Sequence, residues 1–395
     1  MLQNEVFMWL FRSGLVLFAY VLIIVYTGIR VLALIKYLFP SVKAYVFWLI
    51  YAVCGCSYFI VSLLRLSRIW FLHQAVMYTL PFLVYFCLGL MIFELVRFGF
   101  RIKNGSWLTA GISAGMTGIA LSLAVLTMIF GAFNARYIRT VPYEITLNKH
   151  GGPTRGNGLR IALVSDLHIG RIVDRKWVTK IVDAVNKTNA DVICIAGDIF
   201  DINIAMIDNL EAVAEELRRF NAPLGVYACQ GNHDVDRLSM REAGKTDRIK
   251  DYLDNAGINF MLDEVVLIND SFYLAGRRDA RFVGNYQARK TAAELAANMD
   301  KTKPVIFMDH QPVDFPGMEE AGADLILSGH THGGQFFPGN IVTAIMFKSA
   351  GATHYGRWKG RTAQAVVSSG AGLWGPPVRI GTKSEVVVID VKFKL

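Results

Sequence analysis

The sequence predicts two unlike parts in series: an all-α bundle of four transmembrane helices, then an α/β domain whose two β-sheets form a sandwich flanked by helices. Three observations carry that expectation. Four long apolar stretches fill the first third of the chain. Short β-rich runs alternating with amphipathic helices fill the rest, and the surplus of positive charge ends where the first pattern gives way to the second. With 395 residues, 53% of them hydrophobic, the chain is too long for one ordinary domain and too apolar to be soluble throughout.

A helix crosses a bilayer with about 20 apolar residues, and residues 13–33, 44–64, 75–97 and 107–133 each qualify. The last of these, WLTAGISAGMTGIALSLAVLTMIFGAF, is rich in Gly, Ala, Ser and Thr, which lets neighbouring helices approach closely. A cleavable signal peptide is not expected, because further spans follow the first and no short apolar core ends in a small-residue cleavage site. Residues 1–140 carry eleven Lys and Arg against Glu5 and Glu94, a balance of +9 that equals the net charge of the whole chain. The remainder is neutral. A basic chain suggests nucleic acid only where the bases lie on a folded soluble surface. Here they flank apolar spans, where they serve topology and lipid headgroups, so the expected partner is the lipid bilayer and no nucleic acid.

Arg12, Arg65, Arg68, Arg136 and Arg139 fall on the side of the soluble domain, against Arg30, Lys36, Lys43, Arg97, Arg101 and Lys103 on the other. The richer side belongs in the cytoplasm, which leans the soluble domain outside it, in a multi-pass protein of the cell membrane. Glu94 is the one acid within a span and is either a functional carboxylate or, three residues before Arg97, half of an interfacial ion pair.

The expected divisions are 1–140 for the membrane part, 141–158 for a linker and leading strand that includes HGGPTRGNG, and 159–395 for the soluble domain. Strands are predicted at 159–165, 192–196, 224–230, 264–275 with a turn at Asn269 and Asp270, 304–309, 323–328, 364–369 and 385–392. Helices are predicted at 175–188, 208–219 and 290–299. Alternating elements early and strand pairs late suggest the sandwich. Cys54, Cys56 and Cys87 lie in apolar stretches, Cys194 and Cys229 read as small core residues, and no disulfide or zinc framework is visible.

The predicted strands end in metal-binding side chains: Asp166 and His168, Asp198, Asn232 and His233, His310, and His330 and His332. Open α/β sheets gather ligands at such carboxyl ends. Gly197, Gly231 and Gly329 precede them, permitting sharp turns and close backbone approach. Alternate residues of an extended segment share a side, so Asp166-x-His168 and His330-x-His332 are each expected to supply two ligands. Carboxylate, amide and imidazole donors together suit Mn, Fe or Zn, with Mg also open. Two ions about 3.5–4 Å apart need a shared ligand, and a carboxylate bridges where an imidazole cannot, which singles out Asp198.

Asp166-Leu167-His168, Gly197-Asp198, Gly231-Asn232-His233-Asp234, His310 and Gly329-His330-Thr331-His332, in this order, resemble the calcineurin-like metallophosphoesterase superfamily over residues 160–335. GHTHGGQ at 329–335, with Ser-Ser-Gly and Pro377-Val378-Arg379 near the end, resembles its bacterial membrane-associated branch of YkuE-type and YaeI-type proteins. The resemblance implies a calcineurin-like phosphoesterase fold, with Asp166, His168, Asp198 and His332 on one metal and Asp198, Asn232, His310 and His330 on the other. It makes His233 a catalytic non-ligand that stabilises phosphoryl oxygens or protonates the leaving group. It also implies in-line attack on phosphorus by a hydroxide that bridges the metals.

Several residues keep two readings. Asp234 either orients His233 or satisfies turn amides, and Asp201 either lies near the site or caps a turn. Strand alternation turns Asp309 away from the ligands. Arg277, Arg278 and Arg281 form a basic turn that either holds a phosphate or is solvated. Gly333 and Gly334 suit a tight turn with exposed amides, while Phe336, Phe337 and Pro338, extended by Trp358 and Trp374, make either an apolar lip or ordinary packing. The expected activity is hydrolysis of a phosphodiester or pyrophosphate by a tethered metal-dependent hydrolase, with a lipid or lipid-linked nucleotide as the natural substrate. Its competitors are a nuclease or soluble nucleotide phosphodiesterase, and a non-catalytic membrane sensor. The neutral soluble part disfavours long nucleic acid, and a sensor is free to lose ligands that this chain retains.

Overall fold

A computed structural model describes residues 2–64, 66, 69–149, 158–201, 203–234, 248–280, 289–349 and 351–394. Arg65, Arg68, Arg281 and most of the predicted HGGPTRGNG linker lie outside the described residues. The chain forms two compact units, Met1–Ala132 and Phe133–Leu395.

In the first unit, Val16–Leu38, Phe71–Asn104 and Ala110–Ala135 are helical, long and apolar enough to cross a membrane. The fourth expected span is a pair of helices, Ala44–Gly55 and Ser57–Leu63, bent by 62°. A break within apolar surroundings frees backbone groups that need partners, and the Tyr20 hydroxyl donates to the Gly55 carbonyl at 2.5 Å. Small residues set the helix packing, as the composition of the last span suggested: Ala120 and Ala124 are buried beside Phe86 and Leu90. A Cβ on Gly89 would lie 3.4 Å from that of Ala120. Glu94 pairs with Arg97 at 2.9 Å, and also with Arg30.

Among the described residues twelve strands build the second unit: β1 (Ile138–Leu147), β2 (Gly158–Val164), β3 (Val192–Ala196), β4 (Val226–Cys229), β5 (Asn259–Met261), β6 (Glu264–Ile268), β7 (Phe272–Gly276), β8 (Val305–Met308), β9 (Leu325–Ser328), β10 (Gly356–Lys359), β11 (Gln364–Val367) and β12 (Ser384–Phe393). They form two six-stranded sheets, ordered β1-β12-β2-β3-β4-β5 and β10-β11-β9-β8-β7-β6. β2 to β5 run parallel, as do β7, β8, β9 and β11, while β12 lies antiparallel to β2 and parallel to β1. The inner faces share one core, in which Leu163, Cys194 and Cys229 of one sheet meet Phe272, Ile306 and Leu325 of the other. Fully burying an aliphatic side chain of this kind contributes about 1.5–3 kcal/mol.

Helix Arg175–Asn186 covers the first sheet with Trp177, Val178, Ile181, Val182 and Val185, and its N-cap Asp174 accepts from the Trp177 amide. The leading strand starts earlier than expected, at Ile138, and pairs along its whole length with β12. Three helices absent from the expectation are Arg248–Asn255, Phe315–Glu320 and Gly339–Ser349.

Arg277 corrects both readings of the basic turn. It is buried, with its guanidinium 2.9 Å from carboxylate oxygens of Asp309 and Asp314. Asp309 also pairs with Arg289 and points into this cluster. Trp358 belongs to no lip, since it packs on Phe315 and donates its indole N–H to the Gly351 carbonyl.

Arg277→Met removes one of the two cations around a fully buried carboxylate. It is expected to cost about 3 kcal/mol, read as a lowered thermal midpoint of the full-length chain in detergent. An unchanged midpoint would contradict the burial of this pair.

Candidate metal centre

The loops after β2, β3, β4, β8 and β9 carry all eight of the predicted site residues. Among the described residues, three overlapping groups have donor atoms mutually within 4.8 Å: Asp166, His168 and His332; His168, Asp198 and His233; and Asp198, His310 and His330. Asp198 and His168 link them. The Asp198 carboxylate lies 3.1 Å from His310 Nε2 and 3.6 Å from His168 Nε2, and Asp166 lies 3.4 Å from His332 Nε2.

The local backbone differs from the expected extended segments. Asp166, His168, Asp198, His330 and His332 all have left-handed φ, between 49° and 73°. Each Asp-x-His or His-x-His pair therefore turns both side chains inward through a kinked chain. Non-glycine residues at such φ cost about 1–3 kcal/mol each and cluster at functional sites. The preceding glycines make the kinks fit. A Cβ on Gly231 would lie 2.1 Å from the Asp198 amide nitrogen and 2.2 Å from its carboxylate, and one on Gly329 2.5 Å from Asp166 Oδ2.

Hydrogen bonding orients the donors. His310 Nδ1 lies 2.7 Å from the Ala196 carbonyl, which fixes its proton there and leaves a lone pair on Nε2. That lone pair faces the Asp198 carboxylate, and lone pair against carboxylate is repulsive unless a proton or a cation lies between them. His332 differs: the Arg379 guanidinium, which can only donate, lies 3.4 Å from its Nδ1 and so leaves the proton of this imidazole on Nε2, 3.0 Å from His168 Nε2. His310 Nε2 and Asn232 Oδ1 are buried without a hydrogen-bond partner. Unpartnered buried acceptors converging with carboxylates fit divalent cations, and a mixed O/N donor set fits transition ions.

Electrostatics agree with that arrangement. Burial opposes charge on Asp198, but His310 and His168 hold its carboxyl below the usual carboxylate range. Burial likewise opposes charge on His310, yet Asp198 carries this imidazole up to about 10. Burial, then His168 and Arg379, keep His332 well below the usual imidazole range and hence neutral.

His233 is partly exposed, with its amide donating to Asp198 at 2.8 Å and its ring edge-on to His168. Asp201 lies beside both rings, 3.4 Å from His168 Nδ1 and 3.7 Å from His233 Nδ1, so of its two readings the one near the site describes it. Asp234 takes the other kind of role. Its carboxylate accepts from the amides of Ile199, Phe200 and Gly231, tying the β3 loop to the β4 loop. Burial, then Asp198, pushes its carboxyl up to about 7.

Sequence reasoning assigned no role to Arg379, which is fully buried. Its guanidinium donates to the carbonyls of His332, Gly370 and Gly372. Gln335 adds a brace, donating to the carbonyls of Trp374 and Pro376. The motif Pro377-Val378-Arg379 was the only signal for this, and it carries no information about which carbonyls the arginine reaches.

Comparison with known proteins points to one family. The family described as calcineurin-like phosphoesterase matches residues 159–334. A transmembrane protein with metallophosphoesterase domain from Danio rerio is 30% identical over 79% of this chain and 74% of its own length. An uncharacterized metallophosphoesterase of Aquifex aeolicus is 29% identical over 69% of this chain and 98% of its own. For the uncharacterized metallophosphoesterase YkuE of Bacillus subtilis the figures are 27%, 70% and 95%.

Gly231→Ala drives a methyl into Asp198 and is expected to lower metal content and metal-dependent hydrolysis by about 100-fold or more. Elemental analysis of the purified chain checks it, and full metal content would contradict the packing. The raised pKa of His310 stabilises the folded protonated form. That contribution is complete below about 6.5 and is lost as pH rises through about 10. Metal binding must displace this proton, so affinity is expected to strengthen from pH 7 to 9, with up to about one proton released. Calorimetry in buffers of different ionisation enthalpy counts that proton, and a count of zero would remove His310 Nε2 from the ligands.

Proposed function

The chain belongs to the calcineurin-like metallophosphoesterases, and on that premise we propose that this metal-dependent phosphoesterase is a membrane-anchored phosphodiesterase or pyrophosphatase working with two divalent cations. The observation that carries the reading is the Asp198 carboxylate set between His168 and His310, whose Nε2 atoms both face it. Asp166, His168, Asp198 and His332 would hold one cation, and Asp198, Asn232, His310 and His330 the other, with Mn, Fe or Zn suited to the donor set and Mg also open. Two cations held there would supply Lewis acidity, acidifying a water for attack on phosphorus and neutralising charge on the phosphoryl oxygens.

The remaining work falls to the chain's own residues. His233 is tied by its amide to Asp198 and leaves its ring partly exposed, so it can stabilise a phosphoryl oxygen or hand a proton to the departing alkoxide. Asp201 steadies the His233 and His168 rings. Arg379, binding the His332 carbonyl, fixes the neutral imidazole that faces Asp166. The apolar helices support a multi-pass protein of the cell membrane, and the richer positive charge on the opposite side of the spans supports the outer side for the catalytic unit. A substrate confined to the same two dimensions gains most from the tether, which favours a phospholipid or a lipid-linked nucleotide.

The test is manganese-supported hydrolysis of bis-p-nitrophenyl phosphate and p-nitrophenyl phosphate by the full-length chain in detergent, beside Asp198→Ala. Metal-dependent activity is expected, falling by about 1,000-fold or more in the variant. Preference for the diester supports a diesterase over a monoesterase. Hydrolysis that persists without metal, or in the variant, overturns the reading.

A further inference from the structure

The segment after His332 carries a surface that phosphate hydrolysis does not use. Helix Gly339–Ser349, GNIVTAIMFKS, buries none of its residues. Ile341, Val342, Ile345 and Met346 recur at i, i+1, i+4 and i+5 and expose 48%, 54%, 66% and 60% of their surface, which makes one apolar stripe. Phe347, off that stripe, anchors the helix to the core under the second sheet. The helix contains no acid and one base, Lys348. An apolar surface of this kind marks an interaction site.

What covers it follows from where the chain leaves its last apolar helix. Phe133, Asn134 and Ala135 end helix Ala110–Ala135 and belong to the second unit. The Asn134 side chain donates to the carbonyls of Arg379 at 2.9 Å and Thr382 at 3.0 Å. Within that loop the Ile380 carbonyl accepts from the Phe337 amide at 2.9 Å, and Phe337 and Pro338 lead directly into the exposed helix. The point of emergence and the first turn of the helix are therefore stitched to one short loop. The adjoining segments carry exposed aromatic side chains: Tyr137, with the Arg139 guanidinium 5.2 Å from its ring, Phe337 and Trp374. Aromatic and basic residues of this kind populate the headgroup layer at the end of a span.

We propose that helix Gly339–Ser349 lies in the membrane interface, its Ile341–Met346 stripe embedded among the acyl chains of the leaflet from which the last span emerges. The partner is the lipid leaflet itself. The proposal rests on the reading of Ala110–Ala135 as a membrane span and is independent of whether the metal centre hydrolyses phosphate esters. It gives the catalytic unit a second contact with the bilayer, joined through Arg379 to the carbonyl of His332.

The experiment uses the full-length chain in phospholipid nanodiscs, with bimane attached at Ile345→Cys and, as the control, at Arg361→Cys, whose side chain is exposed at the turn between β10 and β11. The signal of the unsubstituted chain is subtracted. Lipid carrying a doxyl group on the acyl chain is expected to quench the label at 345 at least three-fold more than the label at 361, and an aqueous nickel chelate to do the reverse. Equal access of the chelate to both positions overturns the proposal. So does shielding of position 345 that disappears at one chain per disc, which would make a second copy of this chain the occupant. Asp198→Asn, expected to end hydrolysis, should leave the quenching ratio unchanged. A ratio that collapses in that variant would tie the surface to the metal centre and overturn the proposal.

Discussion

Asp198 places a buried carboxylate against the Nε2 atoms of two imidazoles, a contact that needs a proton or a cation between the partners, and most of the second unit can be understood as what holds that cluster in place. Left to itself, such a cluster relaxes by rotating away or by taking up protons. Here the β3 and β4 loops are pinned to each other by the Asp234 carboxylate, the β8 loop by the His310 contact with the Ala196 carbonyl, and the β9 loop by Arg379. Five site residues with left-handed backbone would together forfeit an amount comparable to the whole stability of an ordinary domain. The sandwich core offsets that strain, and a pair of cations would replace repulsion with bonds.

The parts legible in the sequence are those whose signals are local. β2, β3, β8 and β9 are apolar runs rich in branched side chains that stop at a glycine or a ligand, so both strand and site could be read from one stretch. β5 has three residues and β10 reads Gly-Arg-Trp-Lys, too short and too polar for periodicity to register. Helix Gly339–Ser349 escaped because Ile341, Val342, Thr343 and Ile345 are β-branched and Lys348 is its single charge, so little in its pattern sets a polar face against an apolar one. The bend after Gly55 was hidden inside a continuous apolar stretch.

The site followed the same rule. Residue types and their order identified the ligands, since each is the side chain itself that must bind. Interactions made through the backbone left no such trace. Arg379 works on carbonyls contributed by His332, Gly370 and Gly372, and any residue there has a carbonyl to offer. Arg277 was misread as a solvated or anion-holding turn because its partners, Asp309 and Asp314, are distant in sequence and meet it only once β7 and β8 are paired.

The pairing of β1 with β12 bears on how the protein is made. β1 follows the last apolar helix almost at once, yet the strand it joins is the last of the twelve among the described residues. At about 5–20 residues per second, the ribosome takes roughly 10–50 s to deliver that partner. Through this interval the strand waits as an unpaired edge, open to adhesion with other nascent chains. Its composition is suited to waiting: Arg139, Pro142 and Glu144 interrupt its apolar residues with charge and with a missing backbone donor. The sheet is thus closed by its oldest and youngest strands, and the first of them is built to remain solitary until the second arrives.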